Sequence, residues 1–382
     1  MNFFNNSKVF QNITAIGISN IVGSALSALF WIYLAGLLGA ENYGELSYYI
    51  SIASITTSIS LIGGPAAITV LVAKKVKIES TIYTFSILGS VTSAIVLYFS
   101  FTNIGVSIFV IGAVIYNLAS SELLGKKFYT KYSIYFILQK VLFILLSFSL
   151  YYLIGPEGVL LGVGISFSPF FIRIYRGFKD THFDLNLFKS KWKFITNNFF
   201  IDLTDVFSHS IDKLIIAPLF GFLLLGNYYL GIQILAVLAI MPEIIKKYIV
   251  PEDSSGTNTT KIKIITVLFS CLLALVGIFI VPKILPYFFP KYLESLELIP
   301  IISISIIPTT IASMYGSKFL AHEKSTYLVI SNIISIITLI SGIIVLGGLF
   351  GSIGLAYSLV LSDSVRAFFL FISNYKIRTK LI

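Results

Sequence analysis

Four ionisable side chains recur in one apolar stretch at spacings of three, four and three: Asp202, Asp205, His209 and Asp212, with Asn198 a turn earlier and Lys213 directly after. At 3.6 residues per turn they share one face of a helix. If that helix crosses a membrane, each carboxylate at mid-depth costs about 2.5–3.5 kcal/mol on insertion scales. Three on one face therefore require water, a counter-charge or protonation. One chemistry open to such a stripe is the binding of a proton or Na⁺, or of ligand hydroxyls. The other is internal pairing, with Lys213, Lys140 or Arg366 as the neutralising cation.

The remaining candidates are single groups or short pairs. Gln139 and Lys140 lie inside an apolar run, where the ammonium either meets a phosphate as a point charge or snorkels to the interface. Asp363 and Arg366 are three apart and can pair on their own helix. Asn20, with Ser24 and Ser27, makes a polar stripe that either lines a cavity or packs a helix contact. Glu122 closes its run and reads as a solvated end. The one cysteine, Cys271, and the widely spaced His182, His209 and His322 make no metal or catalytic constellation, and no GxxxxGK[ST] loop occurs. No enzyme chemistry, metal or bound cofactor is expected; H⁺ or Na⁺ is the candidate coupling ion, with uncoupled transport as the alternative.

These groups must be positioned by helices, because the chain cannot make a soluble surface. It has 382 residues, 57% hydrophobic and 12% charged, and its mean hydropathy is +0.93. Soluble domains carry about 25% charged residues. Apolar runs predict an all-α membrane protein with twelve spans: 10–38, 46–73, 80–101, 104–121, 132–154, 158–177, 197–217, 222–245, 262–281, 298–316, 326–346 and 352–374. The turns Glu41–Glu45, Thr102–Asn103, Gly155–Glu157, Gly221–Gly226, Pro282–Glu297 and Gly347–Gly351 hold 2 of the 27 basic residues, and the opposite set of loops and termini holds 22. By the positive-inside rule both termini are cytoplasmic. The same rule accounts for the net charge of +10 without nucleic acid. Gly63-Gly64-Pro65 predicts a bend, and Pro251–Thr260 a polar loop.

Between the sixth and seventh runs, Leu185, Phe188, Trp192 and Ile195 make an apolar face interleaved with Lys189, Lys191 and Lys193. This is either an interfacial helix or the front of the seventh span. An internal repeat surrounds it. Leu38-Gly39 with Asn42-Tyr43 is echoed by Phe220-Gly221 with Asn227-Tyr228. Gly125-Lys126-Lys127 before Lys131-Tyr132 is echoed by His322-Glu323-Lys324 before Thr326-Tyr327. Gly155–Gly158 before VLLGVGIS is echoed by Gly348–Gly351 before SIGLAYS. Six spans per half with one in–out sense imply a parallel repeat. The expected domains are a six-helix bundle over 1–180, a linker helix over 181–196 and a second six-helix bundle over 197–382.

The stretch WIYLAGLLGAENYGELSYYISIASI, residues 31–55, resembles the first loop of polysaccharide flippases of the MOP (multidrug/oligosaccharidyl-lipid/polysaccharide) superfamily, which read L-A-R-x-L-G-x-x-x-Y-G. Gly36 stands at the Arg position. Asp212-Lys213-Leu214-Ile215-Ile216, followed by Gly221 and Gly226-Asn227-Tyr228, is similar to the seventh span of the same family. The resemblance implies two six-helix bundles around a cavity. It further implies a plasma-membrane protein moving lipid-linked oligosaccharide between leaflets, with membrane lipids and glycan-assembly proteins as partners. A small-molecule exporter of the same superfamily is the alternative. A glycan polymerase fits less well, because no long external loop carries catalytic Arg, Asp or His.

Overall fold

The structure is a computed structural model that describes residues 3–254, 258–292, 294–321 and 324–379. The side-chain surroundings of 3–16, 18, 247, 251, 254, 321 and 376–379 are not described, and His322 and Glu323 of the repeat lie outside the described residues. Its α-helices in chain order are α1 Phe3–Leu61, α2 Gly64–Ala73, α3 Glu79–Phe101, α4 Ile104–Gly125, α5 Tyr129–Ile154, α6 Glu157–Ile165, α7 Phe171–Asp180, α8 Leu185–Phe220, α9 Phe222–Leu238, α10 Ile240–Ser254, α11 Thr260–Phe279, α12 Val281–Phe288, α13 Ser295–Ile304, α14 Ile306–Ala321 and α15 Thr326–Thr379. Among the described residues, eight helical segments are long and apolar enough to cross a membrane. The count is nine if the pair Phe222–Leu238 and Ile240–Val250, bent by 49°, is one span. This is a multi-pass, all-helical membrane protein.

Two of those segments are too long for one crossing. Ser19–Leu61 has 43 residues and Thr326–Tyr375 has 50, whereas about 20 residues suffice for a hydrocarbon core of about 30 Å. Each is broken at a glycine with positive φ, Gly39 (φ 75°) and Gly351 (φ 58°). A side chain there would strain the backbone, so glycine places the break. The expected turns around these points are correspondingly short: Glu41–Glu45 and most of 347–351 are helical. Hydrogen bonding explains this, since apolar surroundings reward every residue that stays in the helical ladder. The bend expected at Gly63-Gly64-Pro65 is present, with α2 starting at Gly64 and Pro65 in its first turn.

The amphipathic segment before the seventh run is not a separate linker. Helix α8 runs continuously from Leu185 to Phe220, starting where the Asp184 carboxylate accepts the Leu187 amide at 2.9 Å. No glycine or proline interrupts it before Pro218, so nothing ends the helix between the basic stretch and the apolar one. Its apolar face divides: Phe188 and Ile195 are buried, whereas Trp192 and Leu185 are exposed.

The chain forms two compact units. The first comprises 1–27 and Tyr49–Val206, and the second Ala28–Tyr48 and Phe207–Ile382. In the first, α4 is the central helix, packed by α2, α3 and α6. Its core joins Leu61, Ile68, Tyr83, Leu118, Phe170 and Ile195. In the second, α13 packs against α9, α11 and α15, and α14 against α10, α11 and α15, around Ile216, Leu225, Tyr228, Leu298, Leu339 and Leu355.

Residues 28–48 join the second unit through a close helix crossing. A Cβ on Gly44 would collide with the Phe222 carbonyl, and one on Gly226 with the Ala40 carbonyl. Gly44 directly follows Asn42-Tyr43 and Gly226 directly precedes Asn227-Tyr228, so the two stretches that carry the repeat meet each other. Tyr43 then packs against Tyr229, the rings tilted by 42° with 5.0 Å between their centroids. The Tyr292 hydroxyl donates to the Ala35 carbonyl at 2.7 Å.

Candidate functional site

The second unit gathers a buried polar nest from four helices, α8, α9, α14 and α15. Asp212 and Lys213 come from α8, held inward among the apolar Ile211, Ile215 and Ile216 of the same turns. The Lys213 ammonium donates to both oxygens of Asp212, at 2.9 and 3.2 Å, and to the His209 carbonyl at 2.6 Å. Tyr228, from α9, donates its hydroxyl to Asp212 at 3.1 Å. Lys213 also lies 5.9 Å from the Tyr229 ring centre. Of the cations proposed to neutralise the stripe, Lys213 is therefore the one paired with Asp212.

Helix α15 brings Asp363 and Arg366 to the same nest. Asp363 has the charges of Arg366 and Asp212 beside it and the hydroxyls of Ser305 and Thr309 as polar neighbours. No direct ion pair joins Asp363 to Arg366; the Ser305 and Thr309 hydroxyls face the Asp363 carboxylate, and the buried Arg366 Nε has no hydrogen-bond partner. Two carboxylates, two cations and two hydroxyls thus share one low-dielectric space. Such a set can take up a proton or a small cation, because a buried carboxylate is costly unless a proton or a counter-charge neutralises it.

The stripe on α8 does not act as a single cluster. Asp202 and Asp205 fall in the first unit and are each other's electrostatic neighbours. His209 and Asp212 fall in the second unit, with His209 exposed and Asp212 buried. Gln139 is buried and donates its amide to Ser166 at 3.0 Å. Lys140 lies over the rings of Phe136 and Phe143 at 5.4 and 5.7 Å, a cation–π setting. Asn20 is half-buried on α1.

A second polar cluster, in the first unit, corrects one expectation. Glu122 is 0% exposed rather than a solvated helix end. It accepts from Arg173 at 2.8 Å and from Lys126 at 2.6 Å. Lys126 also faces Glu79 at 3.7 Å and Asp180 at 3.6 Å. Desolvation lowers the Lys126 pKa, but the Glu122 hydrogen bond and the three carboxylates outweigh it and hold it above the ordinary value. The missed signal was Arg173, which stands among apolar residues in FFIRIYRGF. Tyr228, Ser305 and Thr309 were missed as well; Tyr228 alone had a pointer, its place in the Asn-Tyr repeat.

A third network closes the far end of α10. Asp253 accepts from Lys263 at 2.6 Å, from Ser317 at 2.9 Å and from Thr259. Desolvation raises its pKa, and these hydrogen bonds together outweigh that and hold the carboxyl below the ordinary value. Among the described residues, no group of three His, Cys, Asp or Glu side chains could hold a metal ion.

No protein-family model matches the chain, and no curated protein sequence matches it. Solved structures do. A lipid II flippase MurJ in an inward closed conformation aligns over 94% of this chain and 87% of its own, with a TM-score of 0.79 and 13% identity. An inward-facing multidrug resistance MATE family transporter of the MOP superfamily aligns over 97% and 98%, with a TM-score of 0.76 and 13% identity. A Vibrio cholerae MATE transporter aligns over 98% of both chains, with a TM-score of 0.68 and 14% identity. This chain therefore has the fold shared by these MOP superfamily transporters over nearly its whole length.

Proposed function

We propose that this chain is a membrane transporter that flips polyprenyl-(pyro)phosphate-linked oligosaccharide from the cytoplasmic to the outer leaflet by alternating access, coupled to H⁺ or Na⁺. The observation that carries the reading is the buried nest of Asp212, Lys213, Tyr228, Asp363 and Arg366, set in helices of the MurJ and MATE fold. A charge-bearing nest inside apolar helices is costly and marks an ion or substrate pathway. The flippase-like first loop, residues 31–55, favours the lipid-linked glycan over a small solute.

Twelve crossings belong to this proposal. Dividing α1 at Gly39 and α15 at Gly351, and adding α8 and the bent pair Phe222–Leu238 with Ile240–Val250, brings the segments to the expected number. The crossing at Gly44 and Gly226 supports the parallel repeat, because each copy of the motif occupies the same contact. Two halves, 1–180 and 197–382, and cytoplasmic termini in the plasma membrane complete it. The chain itself carries out no chemistry on the glycan.

The MATE structures, one aligned end to end, favour a second reading, a small-molecule exporter. One experiment separates the two. Deletion of the gene is followed by a leaflet-resolved assay of lipid-linked oligosaccharide and by drug-sensitivity tests. Accumulation of the glycan lipid on the cytoplasmic leaflet supports the flippase. Unchanged glycan with raised drug sensitivity supports the exporter and overturns the first reading.

A further inference from the structure

One ridge of α14 carries hydroxyls at a fixed interval. Ser305, at its start, is followed by Thr309, Ser313 and Ser317 in steps of four, which sets them in one row along the helix. A serine or threonine inside a helix commonly turns back and donates to its own backbone. Ser303, Ser331 and Thr338 do so, at 2.7, 2.8 and 2.9 Å. The first three members of the row make no such bond. Ser305 and Thr309 face Asp363 instead, and the buried Ser313 Oγ has no hydrogen-bond partner. The last member, Ser317, donates to Asp253 at 2.9 Å. The row therefore begins at the nest and ends at the network that closes α10.

Close packing of small residues between helices would explain the spacing, but not a second open oxygen beside the row. Helices α14 and α15 run antiparallel where they meet: Phe319 stacks on Tyr327 with 5.1 Å between ring centroids, and Leu328 packs against Gly316. Asn332 follows Leu328 by one turn on the same face and so comes level with Ser313. It is 6% exposed, and its Oδ1 has no donor. A buried hydroxyl and a buried amide oxygen thus stand at one level, each unsatisfied, a cost that a bound water removes. Neighbouring members of the row are about 6 Å apart along the helix. That is twice a hydrogen-bond length of about 2.8 Å, so one water spans each gap.

We propose that this row is a water-bridged path for protons between Asp363 and Asp253, the leg of the transport cycle that opens to the cytoplasmic side. The path presupposes the H⁺-coupled reading of the nest and supplies the route by which the ion leaves or reaches it. Asp253 lies on the side that the basic loops assign to the cytoplasm. A hydroxyl suits the task because it donates and accepts at once. It takes a proton from one neighbour as it gives its own to the next, and keeps no charge. At the nest end, the charges facing Asp363 are Arg366 of α15 and Asp212 of α8, the latter held by Lys213 and Tyr228. At the other end, Asp253 faces Lys263 of α11, with Thr259 and Ser317.

The test uses the full-length protein in inside-out membrane vesicles, which present the cytoplasmic face to the medium. A flash releases protons there from a caged acid, and protonation of Asp363 is followed by its carboxylic acid infrared band, assigned by its loss in Asp363→Asn. Valine and threonine have the same shape and differ by one hydroxyl, so Ser313→Val and Ser313→Thr form a matched pair. Ser313→Val should slow the protonation about tenfold, the effect of one lost hydrogen bond to a charged species, and leave its equilibrium midpoint unchanged. Ser313→Thr should keep the parent rate, and so should Ser303→Val, which lies off the row; thermal unfolding confirms that each variant is folded. The parent rate in Ser313→Val overturns the path. So does equal slowing in both Ser313 variants, which reports packing, or a midpoint that moves with the rate, which reports an altered binding site. Absence of any Asp363 band in the parent overturns the H⁺ reading of the nest itself, and the path with it.

Discussion

Replacing Asp212 by Asn keeps the shape of the side chain and removes its charge, leaving Lys213 as a buried cation. The pair sits at 2.9 Å with both side chains buried. At an effective dielectric of 20 the Coulomb attraction at that distance is about 6 kcal/mol. Part of this is offset by desolvation of both ions, and breaking a buried pair from one side costs about 3–5 kcal/mol. The asparagine still accepts from Tyr228, so the loss should fall at the lower end, about 3 kcal/mol. The double variant Asp212→Asn/Lys213→Met removes the stranded charge and should recover most of that. The expected coupling between the sites is at least about 2 kcal/mol. Reversible unfolding in mixed micelles measures the cycle, and leaflet-resolved transport is assayed on the same preparations. The double variant should be folded and inactive. Single variants within about 1 kcal/mol of the parent would refute the buried pair, and normal transport by the double variant would refute its role in transport.

Three further outcomes follow from particular contacts. Glu122→Gln strands Arg173 and should cost about 3–5 kcal/mol, whereas Lys126→Met, at a position 22% exposed, should cost about 1 kcal/mol; the same unfolding assay ranks them. Gly226→Ala should destabilise by about 1–3 kcal/mol or more, because the added methyl meets the Ala40 backbone oxygen rather than a side chain that can turn away; Gly348→Ala, with open space around its Cβ position, is the control and should be close to neutral in a thermal scan. Asp253 has a folded pKa below its unfolded value of about 4, so its contribution to stability is present above that pH and is lost as pH falls through the folded value; against Asp253→Asn, the parent should be the more stable at pH 7 and should lose that advantage in acid.

Much of the fold was legible because membrane helices announce themselves by composition. Apolar runs, the asymmetry of basic residues and the glycine pair before Pro65 require no knowledge of neighbours. The breaks were less legible. Glu41–Glu45 carries the charged residues of a turn and yet stays helical, and Gly39 alone turns the chain. The polar residues were harder still. Asp202 and Asp212 look alike in the three-four-three spacing, yet one neighbours Asp205 and the other is held by Lys213 and Tyr228.

The sequence by itself determined the solvent of this protein, its helical class and the set of ionisable groups that a membrane makes costly. Tertiary structure alone decided which of those groups meet. Glu122 closes its run in the sequence, yet Arg173, 51 residues on, makes it the centre of a buried ion cluster. Asp212 acquires Asp363 as a neighbour from 151 residues away. The physical reason is range. Hydropathy is additive along a chain and is felt by each residue where it stands, whereas a charge in low dielectric depends on the few ångströms around it, and the packing of distant helices supplies those.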